Sequence, residues 1–487
     1  MKKDTIVAIA TALSDSGIGI VRISGPEAVD VCNQIFVSAS GKHILKDVKS
    51  HTIHYGFIID ASIQKDASLE NKDSWRNQII DEVMIALMLA PKSYTTEDTV
   101  EINCHGGVLI VQKVLEQVLL AGARMAEPGE FTKRAFLNGR MDLTKAEAVI
   151  DVIHSQNEYA LKSSVKQLKG DLSNKIKSLR EAIIYEIAFI ESALDDPEHI
   201  SLDGYTEKLS EKVKGLLLSL DKLIATADNG KLIKEGIDTV IIGKPNAGKS
   251  SLLNRMVGDE RAIVTDIAGT TRDILTETIK LRGIGLNMID TAGIRNTDDL
   301  VEKIGVERAK KYAADADLVI YVVDASVELD ENDYEIIDLI RNKKTIILLN
   351  KSDLDIKVDE EAFLKLISEK ISDSCKNETQ KNINIIKTST KENTGIEEFE
   401  QAIEDLFFAG TIQSSNEIVI TNLRHKEALV DARNSLAQVM NSLELDLPED
   451  FYSIDLMSAY ASLGYIIGEE VDDDLVTEIF SKFCLGK

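Results

Sequence analysis

Gly243, Gly248, Lys249 and Ser250 stand at GxxxxGKS spacing, directly after the apolar run Thr239 to Ile242 and before the helical run Ser251 to Arg255. Glycines at these positions let the backbone curl so that successive N–H groups face one oxyanion. Lys249 then offsets the charge of β- and γ-oxygens, and Ser250 offers a hydroxyl to Mg²⁺. With Asn246, Ala247 and Ser251 completing it, the loop reads as a nucleoside triphosphate cradle. Base identity comes from a second cluster, Asn350, Lys351 and Asp353, at the end of the apolar run Thr345 to Leu349. A carboxylate there accepts both the ring N–H and the exocyclic amine of guanine, a donor pair that adenine lacks. Thr388 to Thr390 follows the next apolar run and puts Ser389 where its backbone would meet the guanine oxygen. The nucleotide expected is GTP.

Asp290, Thr291, Ala292 and Gly293 close a further apolar run, Leu286 to Ile289, and read as the magnesium-side carboxylate and γ-phosphate sensor. In the preceding loop, Gly269, Thr270 and Thr271 lead into Arg272 and Asp273, and a threonine hydroxyl there would complete the magnesium shell. Ile294 follows Gly293, where many such sites carry the glutamine that orients the attacking water. Another group must organise hydrolysis. Charge developing on the phosphate also needs a cation. The amide oxygen of Asn246 would hold a monovalent metal there, a small, non-directional substitute for an arginine.

Positioning these residues takes apolar strands alternating with helices: Thr239 to Ile242, Leu286 to Ile289, Leu318 to Val323, Thr345 to Leu349 and Asn382 to Ile386 predict a doubly wound α/β domain. Upstream, Ile6 to Ile9, Ile18 to Ile23 and Val100 to Asn103 read as strands and Val108 to Leu120 as a helix, an α+β domain. Thr144 and Glu147 form a capping box at the head of one long helical pattern running to Ile190 and stopped at Asp195 to Pro197. A second helix, Leu209 to Ala227, runs into an Asp228 to Gly230 turn. After residue 410 come helices near Asn422 to Leu443, Ser453 to Ile467 and Asp474 to Phe483, with Glu469 to Asp474 a solvated helix start. Helical segments on both sides imply one helical domain with the α/β domain inserted. The multidomain division is 1–122, 123–232, 233–410 and 411–487.

At 487 residues there is room for about three domains, and 44% apolar with 28% charged residues suits a folded, soluble chain. The net charge of −26 repels phosphate backbones, so any nucleic acid must be met at a local basic patch or through a partner. Cys32, Cys104, Cys375 and Cys484 form no CxxC pair, so neither zinc nor a disulfide framework is expected. No apolar run reaches the roughly 18 residues of a membrane span, and the apolar stretch after Lys2 and Lys3 continues as a strand rather than ending a signal peptide. A cytoplasmic protein that does not engage membranes is expected.

Gly19 to Gly25 (GIVRISG), Ser93 to Asp98 (SYTTED), His105 to Gly107, Pro128 to Asn138 (PGEFTKRAFLN), the GKPNAGKSSLLN loop, Ile263 to Asp273 and the terminal Phe483 to Lys487 (FCLGK) run the length of the chain. Together they resemble the MnmE family, also called TrmE, bacterial tRNA modification GTPases of the TrmE-Era-EngA-like superfamily. GxPNxGKS is shared with Era-like GTPases; the Pro-Gly-Glu-Phe and Cys-Leu-Gly-Lys segments discriminate.

The resemblance implies K⁺ held by Asn246, Thr265, Ile267 and Thr270, and Mg²⁺ held by Ser250 and Thr271. Asp266 and Ala268 belong to the same nucleotide-facing loop, and Glu302 would position the attacking water. The K⁺ loop would be completed when the GTP-binding domains of a homodimer meet. The resemblance also implies a tetrahydrofolate derivative, 5-formyl- or 5,10-methylene-tetrahydrofolate, in an N-terminal dimerisation domain, met by Arg22, Glu101, Arg140 and Lys487; Arg140 replaces the family's usual lysine. Cys484 is implied as essential for the modification, with its chemical role unassigned. The partner implied by the resemblance is MnmG (GidA), in a heterotetramer or larger complex that would add an aminomethyl or carboxymethylaminomethyl group to C5 of the wobble uridine in certain tRNAs. The alternative, a ribosome-assembly GTPase without folate chemistry, predicts a KH domain or a second GTPase domain, and the sequence has neither pattern.

Overall fold

The computed structural model describes residues 4–60, 74–258, 277–289, 313, 316–340, 343–371, 383–408, 417–469, 471–484 and 486. The chain divides into two units: Met1–Ile150 with Gln167–Ala182 and Tyr460–Lys487, and Asp151–Lys166 with Ile183–Ala459. The α+β and doubly wound α/β architectures predicted from sequence are both present, in different units.

In the first unit, β1 (Ile6–Ile9), β2 (Ser16–Ser24), β3 (Phe36–Ser38), β4 (Thr52–Ile59), β5 (Ile79–Met88), β6 (Thr99–Gly106) and β7 (Arg124–Met125) form a sheet of order β3-β4-β5-β6-β2-β1-β7. All pairs are antiparallel except β1 with β7. The two-residue period is plain on β5, where Val83, Ile85 and Leu87 are buried while Glu82 and Met84 are exposed. The buried face packs beneath the helices Ala28–Ile35 and Val108–Leu120, which contribute Val31, Ile35, Val111, Val114 and Val118 to its core.

In the second unit, β8 (Ile237–Ile242), β9 (Glu277–Leu281), β10 (Ile284–Met288), β11 (Leu318–Asp324), β12 (Lys344–Asn350) and β13 (Ile383–Lys387) are ordered β13-β12-β11-β8-β10-β9. Pairing is parallel except at the β9 edge, which turns back on β10 through Arg282 and Gly283, both at positive φ. One sheet face packs on Leu252, Leu253, Met256, Phe399 and Ile403 from the helices Lys249–Gly258 and Ile396–Phe408. The other packs on Ile337, Phe363 and Ile367 from Glu331–Leu339 and Glu360–Ile371. Helices on both faces place the ligand edge at the carboxyl ends of the parallel strands.

Three expectations change. The long helical pattern is three helices, Leu143–His154, Glu158–Lys169 and Asp171–Asp195. The first is capped by Asp142 rather than Thr144: its Oδ1 accepts the Lys145 N–H at 3.1 Å and the Thr144 hydroxyl at 2.6 Å. Asn157 Oδ1 accepts the Ala160 N–H at 2.8 Å at the start of the second, and Gly170, at φ +100°, precedes the third. Second, Asp228 to Gly230 is not a turn, for it lies within the helix Ala227–Glu235, after Tyr205–Ala225. Glycine is needed there for contact: a Cβ at Gly230 would sit 2.0 Å from the Ile420 carbonyl oxygen. Third, Glu469 is not merely solvated; its carboxylate accepts a hydrogen bond from Arg180 in an ion pair.

Candidate functional site

β8 delivers the GxxxxGKS loop at its carboxyl end, and the close approach of the Asn350 side chain fixes the loop's shape. Gly248 has φ +104°, and a Cβ there would lie 2.0 Å from Asn350 Nδ2. Asn246 also adopts a left-handed conformation, φ +60°, and its side chain is exposed at the loop's mouth. The buried Asn350 amide braces two loops: Nδ2 donates to the Ala247 carbonyl at 2.8 Å, and Oδ1 accepts from the Thr390 N–H at 3.2 Å. Asn350 is therefore a strut for the loop. The Lys249 ammonium donates to the carbonyls of Gly243 and Lys244, each at 2.7 Å, and burial lowers its pKa. Ser250 and Ser251 open the following helix, Ser251 exposed.

The carboxylate expected to read guanine is likewise held. Asp353 Oδ1 accepts the Ser389 hydroxyl at 2.7 Å, a bond that keeps the carboxyl below its ordinary pKa. The Ser389 side chain thus has a positioning task beyond the backbone contact expected of it. Lys351 has φ +63° and its ammonium donates to Asp324 Oδ2 at 2.6 Å. Burial pushes the Asp324 carboxyl up, but the bonds from Lys351 and Ser326 outweigh it and hold the group low.

Sequence reasoning missed Asp324 and the anchor of Lys244. Lys244 Nζ donates to Asp333 Oδ2 at 2.6 Å and Asp330 Oδ2 at 3.1 Å, while the Tyr321 hydroxyl donates to Asp333 Oδ1 at 2.7 Å. Burial lowers the Lys244 pKa, yet the two carboxylates raise it on balance. The signal was available: Asp330 and Asp333 have capping-box spacing, and both reciprocal bonds form at the head of Glu331–Leu339.

In the first unit, Arg22 on β2 and Glu101 on β6 are register partners, and Arg22 Nε donates to Glu101 Oε1 at 2.8 Å. Arg22 also donates to the Gly486 carbonyl at 3.1 Å, and its guanidinium lies 5.8 Å from the Phe131 ring centroid and 5.9 Å from that of Tyr94. Arg140 is exposed, stacks over Tyr94 at 4.8 Å and donates to the Tyr94 carbonyl at 2.6 Å. Arg134 fastens the Ser93 to Asp98 and Pro128 to Asn138 segments through Glu97 at 3.1 Å and Glu130 at 2.9 Å. Cys484 is exposed, and its carbonyl accepts the Gly129 N–H at 3.4 Å. Arg22, Glu101, Arg140 and the C-terminal segment are thus neighbours, whereas Cys32 and Cys104 are buried thiols, the latter pushed up to about 11 by desolvation.

Thr265, Asp266, Ile267, Ala268, Gly269, Thr270, Thr271, Asp290, Thr291, Ala292, Gly293, Glu302, Cys375 and Lys487 lie outside the described residues. Among the described residues no helix is long and apolar enough to cross a membrane.

A parallel sheet with a GxxxxGKS loop after one strand and a braced Asn-Lys-x-Asp carboxylate after another has the arrangement of a P-loop guanine-nucleotide protein. Two family descriptions match: "GTP-binding protein TrmE N-terminus" over residues 5–140 and "MnmE helical domain" over residues 143–484. The protein from Lachnoclostridium phytofermentans named tRNA modification GTPase MnmE is 56% identical over 487 residues, 100% of each chain. Proteins of that name from Clostridioides difficile and Thermoanaerobacter pseudethanolicus are 46% and 45% identical over 484 residues, 99% of each chain. The chain belongs to the MnmE family of tRNA modification GTPases.

Proposed function

We propose that this GTPase works in the cytoplasm as a homodimer with the flavin- and NADH-using protein MnmG, forming the 5-aminomethyl or 5-carboxymethylaminomethyl group on wobble uridine of certain tRNAs. The proposed division is a folate-binding and dimerisation domain over 1–122, a helical domain over 123–232 and 411–487, and a GTPase domain over 233–410. In the GTPase domain, Lys249 and the loop N–H groups bind the phosphates, Asp353 selects guanine, and Ser250 with Thr271 would hold Mg²⁺. The exposed Asn246 amide fits a monovalent cation, which with Thr265, Ile267 and Thr270 would take K⁺ and supply positive charge beside the phosphates. Glu302 would orient water.

The N-terminal cluster fits a tetrahydrofolate derivative, which supplies one carbon when bound. Glu101 can accept from a two-donor pterin edge, Arg22, Arg140 and Lys487 suit carboxylates and carbonyls, and the half-buried Tyr94 offers aromatic surface beside them. Cys484 follows in the same C-terminal segment and is required for the modification in this reading.

The observation that carries the proposal is that one chain joins a guanine-nucleotide cradle to this second polar cluster, where Arg22 bridges Glu101 and the C-terminal Gly486. Nucleoside mass spectrometry of tRNA from cells lacking the gene tests it: the wobble modification is expected to disappear, and unchanged wobble uridines would overturn the reading.

A further inference from the structure

From Asn434 to Ser481 the chain contains no Lys, Arg or His and eleven Asp or Glu residues. Inside this stretch the first half of the helix Glu449–Ile467 carries apolar residues on both sides. Tyr452, Leu456 and Ala459 face inward and are buried. Phe451, Ile454 and Met457, at helical spacing on the opposite side, are 54%, 66% and 47% exposed, and Leu445 just before the helix is 71% exposed. A helix that is apolar all round is ordinarily covered all round. The acidic groups of the same segment, Glu444, Asp446, Asp450 and the half-buried Glu449, lie beside the stripe in sequence, and Asp455 lies within it.

We propose that the Phe451–Ile454–Met457 stripe is the docking face for a protein partner that presents an apolar knob ringed by Lys and Arg side chains. Charge selects this occupant. A second copy seated symmetrically on the same face would bring carboxylates against carboxylates. A nucleic acid backbone or an anionic lipid surface is repelled by the same groups. Only a basic surface gains from the rim while covering the stripe. The inference rests on the proposed partnership with MnmG and assigns it a place on the chain: apolar anchors supply affinity and the rim supplies encounter rate and orientation.

The test uses full-length protein and purified MnmG, with sedimentation velocity and calorimetry at low and high salt. Replacing Phe451→Ser with Ile454→Ser is expected to weaken binding about tenfold or more, because central apolar anchors dominate such interfaces. Glu449→Lys with Asp450→Lys is expected to weaken it at low salt, with the deficit shrinking as salt rises. Neither variant should alter the protein's own oligomeric mass or its GTP turnover without MnmG. If the unsubstituted protein binds no MnmG, the partnership falls and takes this inference with it. If it binds and both variants bind equally well, only the docking face is overturned. A change in the protein's own oligomeric mass would assign the stripe to contact between copies and overturn it too.

Discussion

Asp333 shows how a residue remote from the nucleotide motifs can set their geometry. It is fully buried, accepts from the Tyr321 hydroxyl and Lys244, and so stakes down the residue whose carbonyl receives the Lys249 ammonium. Asp333→Ala leaves the buried Tyr321 hydroxyl without its acceptor and is expected to cost about 2–4 kcal/mol in urea unfolding. It should also raise the KM for GTP, whereas Lys244→Arg keeps both near normal. Asp324 carries a pH signature. Its carboxyl is held low in the folded state, so its stabilising contribution is present above the ordinary carboxylate pKa and fades as pH falls through the folded value. Asp324→Asn is therefore expected to lose roughly 1 kcal/mol at neutral pH and progressively less as pH falls below the ordinary carboxylate range, compared by denaturant midpoints. Asp353→Asn replaces an acceptor with a donor, which suits the carbonyl of xanthine where guanine has its amine. Turnover measured with both triphosphates should shift from GTP toward XTP. The loop at Gly243 to Ser250 and the cluster at Asn350 to Asp353 are readable in sequence because each is contiguous, as is the capping-box spacing of Asp330 and Asp333; the hold of Asp333 on Lys244 and of Asp324 on Lys351 is not, because those partners are distant in sequence.

At the scale of elements, apolar period and runs located the parallel strands of the α/β domain and the C-terminal helices, since burial on one or both faces leaves a period in the sequence. That period runs across the breaks at residues 155–157 and 170, where polar caps and one glycine end each helix without disturbing the spacing of Ile153, Leu161, Val165 and Leu172. The edge strand β9 was missed for a related reason: Glu277–Leu281 is short, and its return through Arg282 and Gly283 depends on backbone conformation rather than composition. Asp142 separates the predicted cap from the observed one. Besides capping at Lys145 N–H and holding Thr144, it accepts the Ser173 hydroxyl at 2.6 Å. Asp142→Ala is accordingly expected to cost about 1–2 kcal/mol in thermal denaturation. A negligible loss would return the cap to Thr144.

Among the described residues, polar clusters of different chemistry stand in the two units, Arg22 with Glu101 in one and Lys249 with Asn350 in the other. A net charge of −26 disfavours an extended grip on tRNA by this chain alone, consistent with a partner that shares the substrate. If the N-terminal cluster binds the folate derivative, its contribution should separate from GTP turnover in a suitable variant. Glu101→Gln preserves size and can still accept the Arg22 bond, but it replaces a carboxylate that accepts at both oxygens with an amide that donates at one end. Matching a two-donor pterin edge then leaves a donor facing a donor. Binding of 5-formyl-tetrahydrofolate, followed by calorimetry, is expected to weaken at least about tenfold, the equivalent of one lost charge-assisted hydrogen bond. GTP turnover in K⁺ should stay within about twofold, because the variant leaves the loop that Lys249 and Asn350 brace untouched. Equal loss of both activities would show that Glu101 sustains the fold of the chain rather than one site, and unchanged folate binding would remove the carboxylate from that site.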